Sequence, residues 1–196
     1  MKHADPQVLT IPPPAPPRPT APFACDDQSS SARASTVQQD GHVTEIRPVR
    51  PTDADHMAEV QNAIYRAGLR ATPVDVALVR ERYLGMDYGV ACTVAEQEGR
   101  VVGFQSLKRA WPGNPYDVAE GWGIIGTHIH PDAGRGGLGR RLFATSLAAA
   151  KAAGLKHIDA SIGVDNSPAL AYYSAMGFTP YREGGDTIPH RFDVVQ

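Results

Sequence analysis

The stretch "IHPDAGRGGLGRRLF", residues 129–143, joins an apolar strand pattern to an apolar helix pattern through a glycine-rich loop. Its glycines fit the dinucleotide pattern G-x-G-x-x-G at Gly134, Gly136 and Gly139, and Asp159 follows 20 residues after the last of them. Glycines after a strand let the backbone approach a phosphate, and the free N–H groups at the start of the next helix favour an anion. The stretch therefore predicts a phosphate-binding loop, with a plain strand-to-helix turn as the alternative.

Position in the chain argues against a dinucleotide as the ligand of this loop. A Rossmann domain places its fingerprint in the first β-α-β unit, with further strands to follow. Here only 57 of the 196 residues follow Gly139, and residues 131–133 separate the strand from the first glycine. The side chain of Asp159 is expected at an inner position of the next strand, away from a ribose. A nicotinamide-binding oxidoreductase is therefore the weakest interpretation, and no G-K-[ST] of a Walker A loop is present.

The N-terminal part of the chain has a composition unlike the rest. The first 22 residues contain eight prolines, and residues 26–41 hold almost no large apolar side chain. Such a segment cannot bury enough surface to offset the entropy of ordering it. We therefore predict a disordered Pro/Ser-rich tail over residues 1–42 and one domain over residues 43–196.

Charge and hydropathy limit the classes of partner. The net charge of −2 offers no basic surface for nucleic acid. No apolar run approaches the ~18 residues of a membrane span, and no apolar signal segment follows Lys2. We expect a cytoplasmic protein without nucleic-acid or membrane partners. Its two cysteines indicate neither a disulfide framework nor a metal cluster.

Periodicity and turn residues predict the element order β-α-α-β-β-β-α-β-α-β-β, which is an α/β or α+β fold around a mixed sheet. The short helix after residue 166 is expected to begin at a Ser167 cap and to end at Gly177. The first helix, capped near Thr52 or Asp53, is expected to place four apolar side chains on one face: Met57, Val60, Ile64 and Tyr65.

The glycine-rich stretch and the later "NSPALAYYSAMGF", residues 166–178, together resemble the GNAT N-acyltransferase superfamily. The first is similar to its acetyl-CoA motif Q/R-x-x-G-x-G/A after a strand ending in V-x-P, and the second to N-x-x-A-x-x-x-Y-x-x-x-G-F. The resemblance covers about residues 43–196 and implies a mixed central β-sheet flanked by helices. One departure stands at Gly134, where the family has Gln or Arg; Arg135 lies one position later.

The resemblance implies an N-acetyltransferase with acetyl-CoA as co-substrate and a primary amine of a small molecule or amino acid as acceptor. Main-chain contacts are implied from the strand before the loop, and pyrophosphate contacts from the loop itself. The implied cofactor-binding residues are Ile129, His130, Gly134, Arg135, Gly136, Gly137, Leu138, Gly139, Arg140, Asn166 and Tyr173.

Acyl transfer to an amine needs a neutral nucleophile and a proton for the leaving thiolate. Tyr173 stands where the family has the tyrosine that protonates the thiol, while a structural role suits its neighbour Tyr172. The base is less defined, because Gly123 occupies the position of the family's usual carboxylate. His128 is the first choice because an ordinary histidine titrates near working pH; Glu120, a water relay and a group on the substrate stay open.

A metal site, the loop around Trp111 and a non-catalytic role are the other features that the sequence raises. "H-x-H" at residues 128–130 offers two imidazoles on one strand face, but no third ligand is identifiable, so we expect no metal. Trp111, Tyr116 and Asp117 lie in a turn-rich loop that either lines an acceptor pocket or covers the core. A non-catalytic acyl-CoA-binding sensor of the same fold is the second interpretation. A homodimer is an open option for the oligomeric state.

Overall fold

The computed structural model describes residues 35–39, 42–134 and 136–195. Within these ranges the strands are β1 Ser35–Gln39, β2 His42–Pro48, β3 Gly89–Gln97, β4 Arg100–Arg109, β5 Gly123–Ile129, β6 His157–Gly163, β7 Thr179–Pro180 and β8 Thr187–Asp193. The helices are α1 Ala54–Arg66, α2 Val76–Val79, α3 Leu138–Ala152 and α4 Ser167–Ala175. A π-helical segment, Arg80–Leu84, continues α2, and 3-10 turns lie at Pro51–Asp53 and Pro131–Ala133.

The eight strands form one mixed sheet in the order β1-β2-β3-β4-β5-β6-β8-β7. Neighbouring strands are antiparallel except β5 and β6, which run parallel because α3 crosses between them. The predicted fold class and the order from β2 onward are confirmed. Strand β1 is additional: it lies inside the segment predicted to be a disordered tail and pairs with β2. Residues 1–34 of that segment lie outside the described residues.

The sheet is covered on both faces. On one face, Leu107, Ile125 and Ile158 pack with Phe143 of α3 and with Phe178. The opposite face carries Phe104 and Val94, which pack under the buried side of α1 at Met57 and Val60. The prediction for Tyr65 is wrong, since its side chain is 40% exposed near the end of α1. None of the helices in the described ranges is long and apolar enough to cross a membrane.

Strands β5 and β6 part after a short contact. They pair only at Gly123 with Ile158 and at Ile124 with Asp159, whereas β5 stays on β4 as far as Ile129. A wedge-shaped gap therefore opens in the sheet toward the carboxyl end of β5. This end leads directly into the glycine-rich loop and α3.

Local signals explain how α4 begins and ends. Asn166 is the N-cap, because its Oδ1 accepts the N–H of Ala169 at 3.1 Å. The predicted cap at Ser167 is therefore wrong by one residue, and Ser167 is the first helical position. The prediction for Gly177 is confirmed, since it follows the C-cap Met176 with φ +94°.

Candidate active site

A cleft with a cavity volume of about 180 Å³ lies where β5 and β6 part. Because the sheet itself is open there, side chains from both of its faces reach the cleft. Thr127 and Tyr173 reach it from the α3 and α4 side, and His128 reaches it from the α1 and α2 side. The structure thus brings together the two residues predicted to be catalytic.

Tyr173 is buried at the inner wall of the cleft. Its hydroxyl lies 2.9 Å from Thr127 Oγ1, and Thr127 Oγ1 accepts a hydrogen bond of 2.7 Å from Gln105 Nε2. Burial raises the pKa of Tyr173 well above its ordinary value, which keeps the phenol protonated. The residue is therefore held by a relay of polar groups from β4 and β5 in the form that can donate a proton.

Tyr172 has a different environment from its neighbour. Its hydroxyl donates to the carbonyl of Gly139 at 2.9 Å and accepts from Gln105 Nε2 at 3.2 Å. Its ring lies so close to α3 that a Cβ on Gly139 would be 2.6 Å from Cε2 of the ring. Gly139 is thus required for the packing of α4 on α3. The sequence pattern had assigned this glycine to phosphate binding alone.

The first turn of α3 presents main-chain N–H groups to the end of the gap. Gly137 is the N-cap in the left-handed region (φ +70°) and has no side chain with which to cap the helix. Leu138, Gly139 and Arg140 follow, and the Arg140 side chain is exposed. The N-terminal end of α3 can therefore receive an anion. Arg135 lies outside the described residues.

Three basic or polar residues near the loop or the cleft have structural partners. Arg141 donates to the carbonyl of Thr44 at 2.9 Å and so ties α3 to β2. The ring of His130 accepts the N–H of Asp132 at 3.2 Å and stabilises the 3-10 turn. Asn166 lines the cleft and also caps α4, so a contact with a ligand would be its second role.

The main chain of β5 has hydrogen-bonding groups that face the gap. His130 donates its N–H to the carbonyl of Val102 at 2.8 Å, so its amide points to β4. Successive residues of a strand point their N–H and C=O groups to opposite neighbours, so those of Thr127 and Ile129 point to β6. Since β6 pairs with β5 no further than Asp159, these groups of β5 face the gap. This arrangement suits the prediction for Ile129 better than the one for His130.

His128 packs between Phe104 and Tyr83, with ring centroids 4.6 and 5.7 Å away. The Tyr83 hydroxyl lies 3.3 Å from His128 Nε2. Desolvation, with a smaller effect from the charge of Arg70, lowers the pKa of His128 to about 3. The imidazole is therefore neutral at working pH and is a weak base.

The other positions considered for the base also differ from the expectation. Glu120 is exposed and is absent from the cleft lining that the described residues form. A Cβ at Gly123 would lie 3.0 Å from Leu107 and 3.1 Å from Leu155, so this position faces the packed core. A carboxylate at the family's usual position would therefore not fit in this chain.

Asp159 is a cleft residue that the sequence analysis considered for a dinucleotide ribose and did not assign to the active site. It is fully buried, lines the cleft, and accepts hydrogen bonds from Tyr181 at 3.0 Å and Ser161 at 3.2 Å. Burial raises its pKa, and these hydrogen bonds partly offset the increase. The signal was present in the strand pattern: Ile158 and Ala160 face the core, so the acid between them faces the other side.

Comparison with known proteins agrees with this geometry. The sequence model described as the acetyltransferase (GNAT) family matches residues 55–178, which end at the last residue of "NSPALAYYSAMGF". The chain belongs to the GNAT acetyltransferase family.

A curated relative is the mycothiol acetyltransferase of Saccharomonospora viridis, which is 38% identical over 86 residues. The match covers 41% of this chain and 27% of the relative, so the chain spans about a quarter of the length of that protein. The alignment therefore supports family membership for a segment and leaves the activity of the whole protein to be proposed.

Two solved structures share the fold. Salmonella typhimurium yncA, determined with its cofactor acetyl-CoA, is 20% identical with a TM-score of 0.56, over 78% of this chain and 95% of that one. The PaiA N-acetyltransferase of Thermoplasma acidophilum, in complex with coenzyme A, is 15% identical with a TM-score of 0.61, over 76% and 98%.

Proposed function

We propose that the chain transfers an acetyl group from acetyl-CoA to a primary amine of a small molecule or an amino acid. The observation that carries this proposal is the gap between β5 and β6, which has Tyr173 in its wall and the start of α3 at its end. Acetyl-CoA and coenzyme A in the two structural neighbours support the choice of donor.

The residues present fit coenzyme A at both ends of the gap. The main-chain groups of Thr127 and Ile129 would pair with the amides of the pantetheine arm, as the unpaired edge of a strand does. The N–H groups of Leu138, Gly139 and Arg140 would hold the pyrophosphate, with the exposed Arg140 side chain adding positive charge. Gly134, Gly136 and Gly137 would let the loop approach the phosphates.

Tyr173 would act as the general acid. Gln105 occupies one lone pair of Thr127 Oγ1, so the threonine hydroxyl can donate its own proton to the Tyr173 oxygen. The phenolic proton is then free for the sulfur that leaves the thioester. The amine attacks the carbonyl carbon, a C–N bond forms, the C–S bond breaks, and the thiolate takes the proton of Tyr173.

The cleft offers two candidates for contact with the acceptor amine. Neutral His128 can accept a hydrogen bond from an N–H group, although its lowered pKa makes proton removal weak. Burial raises the pKa of Asp159, which makes its carboxylate the candidate for proton removal. We therefore propose His128 as a positioning contact, which revises its predicted role as the base.

The proposal is tested by measuring acetyl-CoA binding by calorimetry and free-thiol release across a panel of primary amines, with mass spectrometry of the products. We expect micromolar binding and acetylated product from at least one class of amine. Binding without thiol release from any amine would favour the acyl-CoA sensor. Binding of NAD instead of acetyl-CoA would revive the oxidoreductase. We also propose a cytoplasmic location for the chain.

A further inference from the structure

Asp159 is a buried carboxylate that forms no salt bridge within the described residues. Its hydrogen bonds come from the hydroxyls of Tyr181 and Ser161, which carry no charge. The nearby cation Arg182 donates to the Tyr181 hydroxyl at 3.1 Å and lies 3.8 Å from Asp117. Each carboxylate oxygen of Asp159 can accept a further hydrogen bond. A buried anion in this state is stabilised when a ligand supplies the cation.

Strand register places a cation across the cleft from this carboxylate. Lys108 of β4 pairs with Ile124 of β5, and Ile124 pairs with Asp159 of β6. Residues in one such row have side chains on the same face of the sheet. Two inter-strand spacings separate the Cα atoms of Lys108 and Asp159 by about 10 Å. Opposite charges therefore approach the same cleft from the two sides of β5.

Arg82 adds a second cation on the Lys108 side. Both side chains line the cleft, and neither forms a salt bridge with a carboxylate in the described part of the chain. Burial and the charge of Arg82 lower the pKa of Lys108, against a weaker effect of Asp87 and Glu81. Two cations thus share a partly desolvated space, where an anionic group of a ligand would stabilise both.

We propose that the acceptor is a zwitterion, a small amino acid whose ammonium group binds Asp159 and whose carboxylate binds Lys108 and Arg82. The inference rests on the proposed function, because it names the substrate class of the same cleft. It excludes simple monoamines and diamines as preferred acceptors, since neither carries an anion for the cationic side.

The proton balance of the transfer follows from this placement. Asp159 takes one proton from the bound ammonium, which gives the neutral amine that attacks the thioester carbon. The nitrogen loses its second proton when the intermediate collapses, and that proton replaces the one that Tyr173 gives to the thiolate. Asp159 then releases its proton to solvent, so the net products are the N-acetyl amino acid, the free thiol of coenzyme A and one proton.

The test compares matched acceptors by their rates of thiol release. Short α-amino acids and linear ω-amino acids are each measured beside their own carboxamide, which keeps the size and removes the negative charge, and beside linear diamines. We expect kcat/KM to be about 10- to 100-fold higher for the best amino acid than for its carboxamide, as the loss of a charge-assisted hydrogen bond predicts. Diamines should be poorer still.

Variants of Lys108 and Asp159, on the two sides of the cleft, separate an effect on acceptor specificity from an effect on folding. Lys108→Met should lower kcat/KM for the amino acid about 10- to 100-fold and leave that for the carboxamide nearly unchanged. Lys108→Glu should shift the preference toward diamines. Asp159→Asn, which keeps the size of the side chain, should lower both rates while acetyl-CoA affinity and the melting temperature are retained. Lys156→Met, at an exposed turn, is the control for removing a lysine.

The outcomes distinguish this inference from the proposed function. Equal rates for amino acids and carboxamides, or a preference for diamines in the wild type, would overturn the zwitterion while the acetyltransferase activity stands. An equal effect of Lys108→Met on both members of a pair would also overturn it. If acetyl-CoA does not bind and no amine releases thiol, the proposed function fails, and the inference fails with it.

Discussion

Two adjacent tyrosines of α4 direct their hydroxyls to different partners. Tyr172 uses its hydroxyl to join α4 to α3 through Gly139, whereas Tyr173 directs its hydroxyl to Thr127 inside the cleft. Their rings meet edge to face, with centroids 4.9 Å apart, so the packing of one fixes the other. The structural tyrosine therefore positions the proposed catalytic one.

His128 illustrates how desolvation in a half-buried position lowers the basicity of a residue. A histidine of ordinary pKa would be a suitable base near pH 7. Between Phe104 and Tyr83, the charged form loses its hydration, and the pKa falls to about 3. The sequence pattern located this residue in the cleft correctly but could not show its neighbours.

A pH dependence of stability follows from the lowered pKa of His128. Below about pH 6.5 the histidine of the unfolded chain takes up a proton that folded His128 does not. The free energy of unfolding therefore decreases as the pH is lowered. We expect His128→Asn to remove a slope of at most about 1.4 kcal/mol per pH unit. Urea unfolding of both proteins between about pH 7 and pH 5 checks this. A stability difference that stays constant over the range would contradict the buried neutral imidazole.

At the scale of elements, the glycine-rich loop has two structural requirements for glycine that its sequence pattern does not distinguish. Gly137 needs a left-handed backbone, Gly139 needs space for the ring of Tyr172, and Gly134 has φ −65° and needs neither. The departure from the family at Gly134 therefore leaves the geometry of the loop intact. The backbone at Gly137 and the packing at Gly139 require glycine, whereas the dinucleotide pattern selects Gly134, Gly136 and Gly139.

Alanine substitutions in the loop should rank in the order of these requirements. Gly139→Ala gains about 1 kcal/mol of helix propensity but costs about 1–3 kcal/mol of overpacking against Tyr172, so it should lower both the melting temperature and acetyl-CoA affinity. Gly137→Ala should cost about 1–2 kcal/mol for the left-handed backbone. Gly134→Ala is the matched control. A Gly134→Ala variant as unstable as Gly139→Ala would contradict this account of the loop.

At the scale of the whole molecule, sequence reasoning predicted what depends on local signals and on a shared family pattern. The mixed sheet, the element order from β2 onward and the helix after the loop were all available from periodicity and turn residues. Strand β1 was missed because Ser35–Gln39 is polar and gains its structure from pairing with β2. No local sequence pattern predicts such a strand.

The acceptor side of the cleft was missed for a similar reason. Lys108 and Asp159 lie 51 positions apart in the chain and line the same cleft because β5 joins their strands in one register row. Strand alternation showed that Asp159 faces away from Ile158, but not which residues share its row. Register across three strands is a property of the folded sheet, and the charges of the cleft follow from it.

In the proposed function, the cleft between β5 and β6 transfers an acetyl group with Tyr173 as the acid. The most direct test is single-turnover thiol release from bound acetyl-CoA after an acceptor amine from the panel is added to wild type, Tyr173→Phe or Tyr172→Phe. We expect Tyr173→Phe to be slower by about 10²-fold or more with acetyl-CoA affinity little changed. Tyr172→Phe should lose stability and keep most of its rate. Equal rates for wild type and Tyr173→Phe would contradict the role of Tyr173 as the general acid.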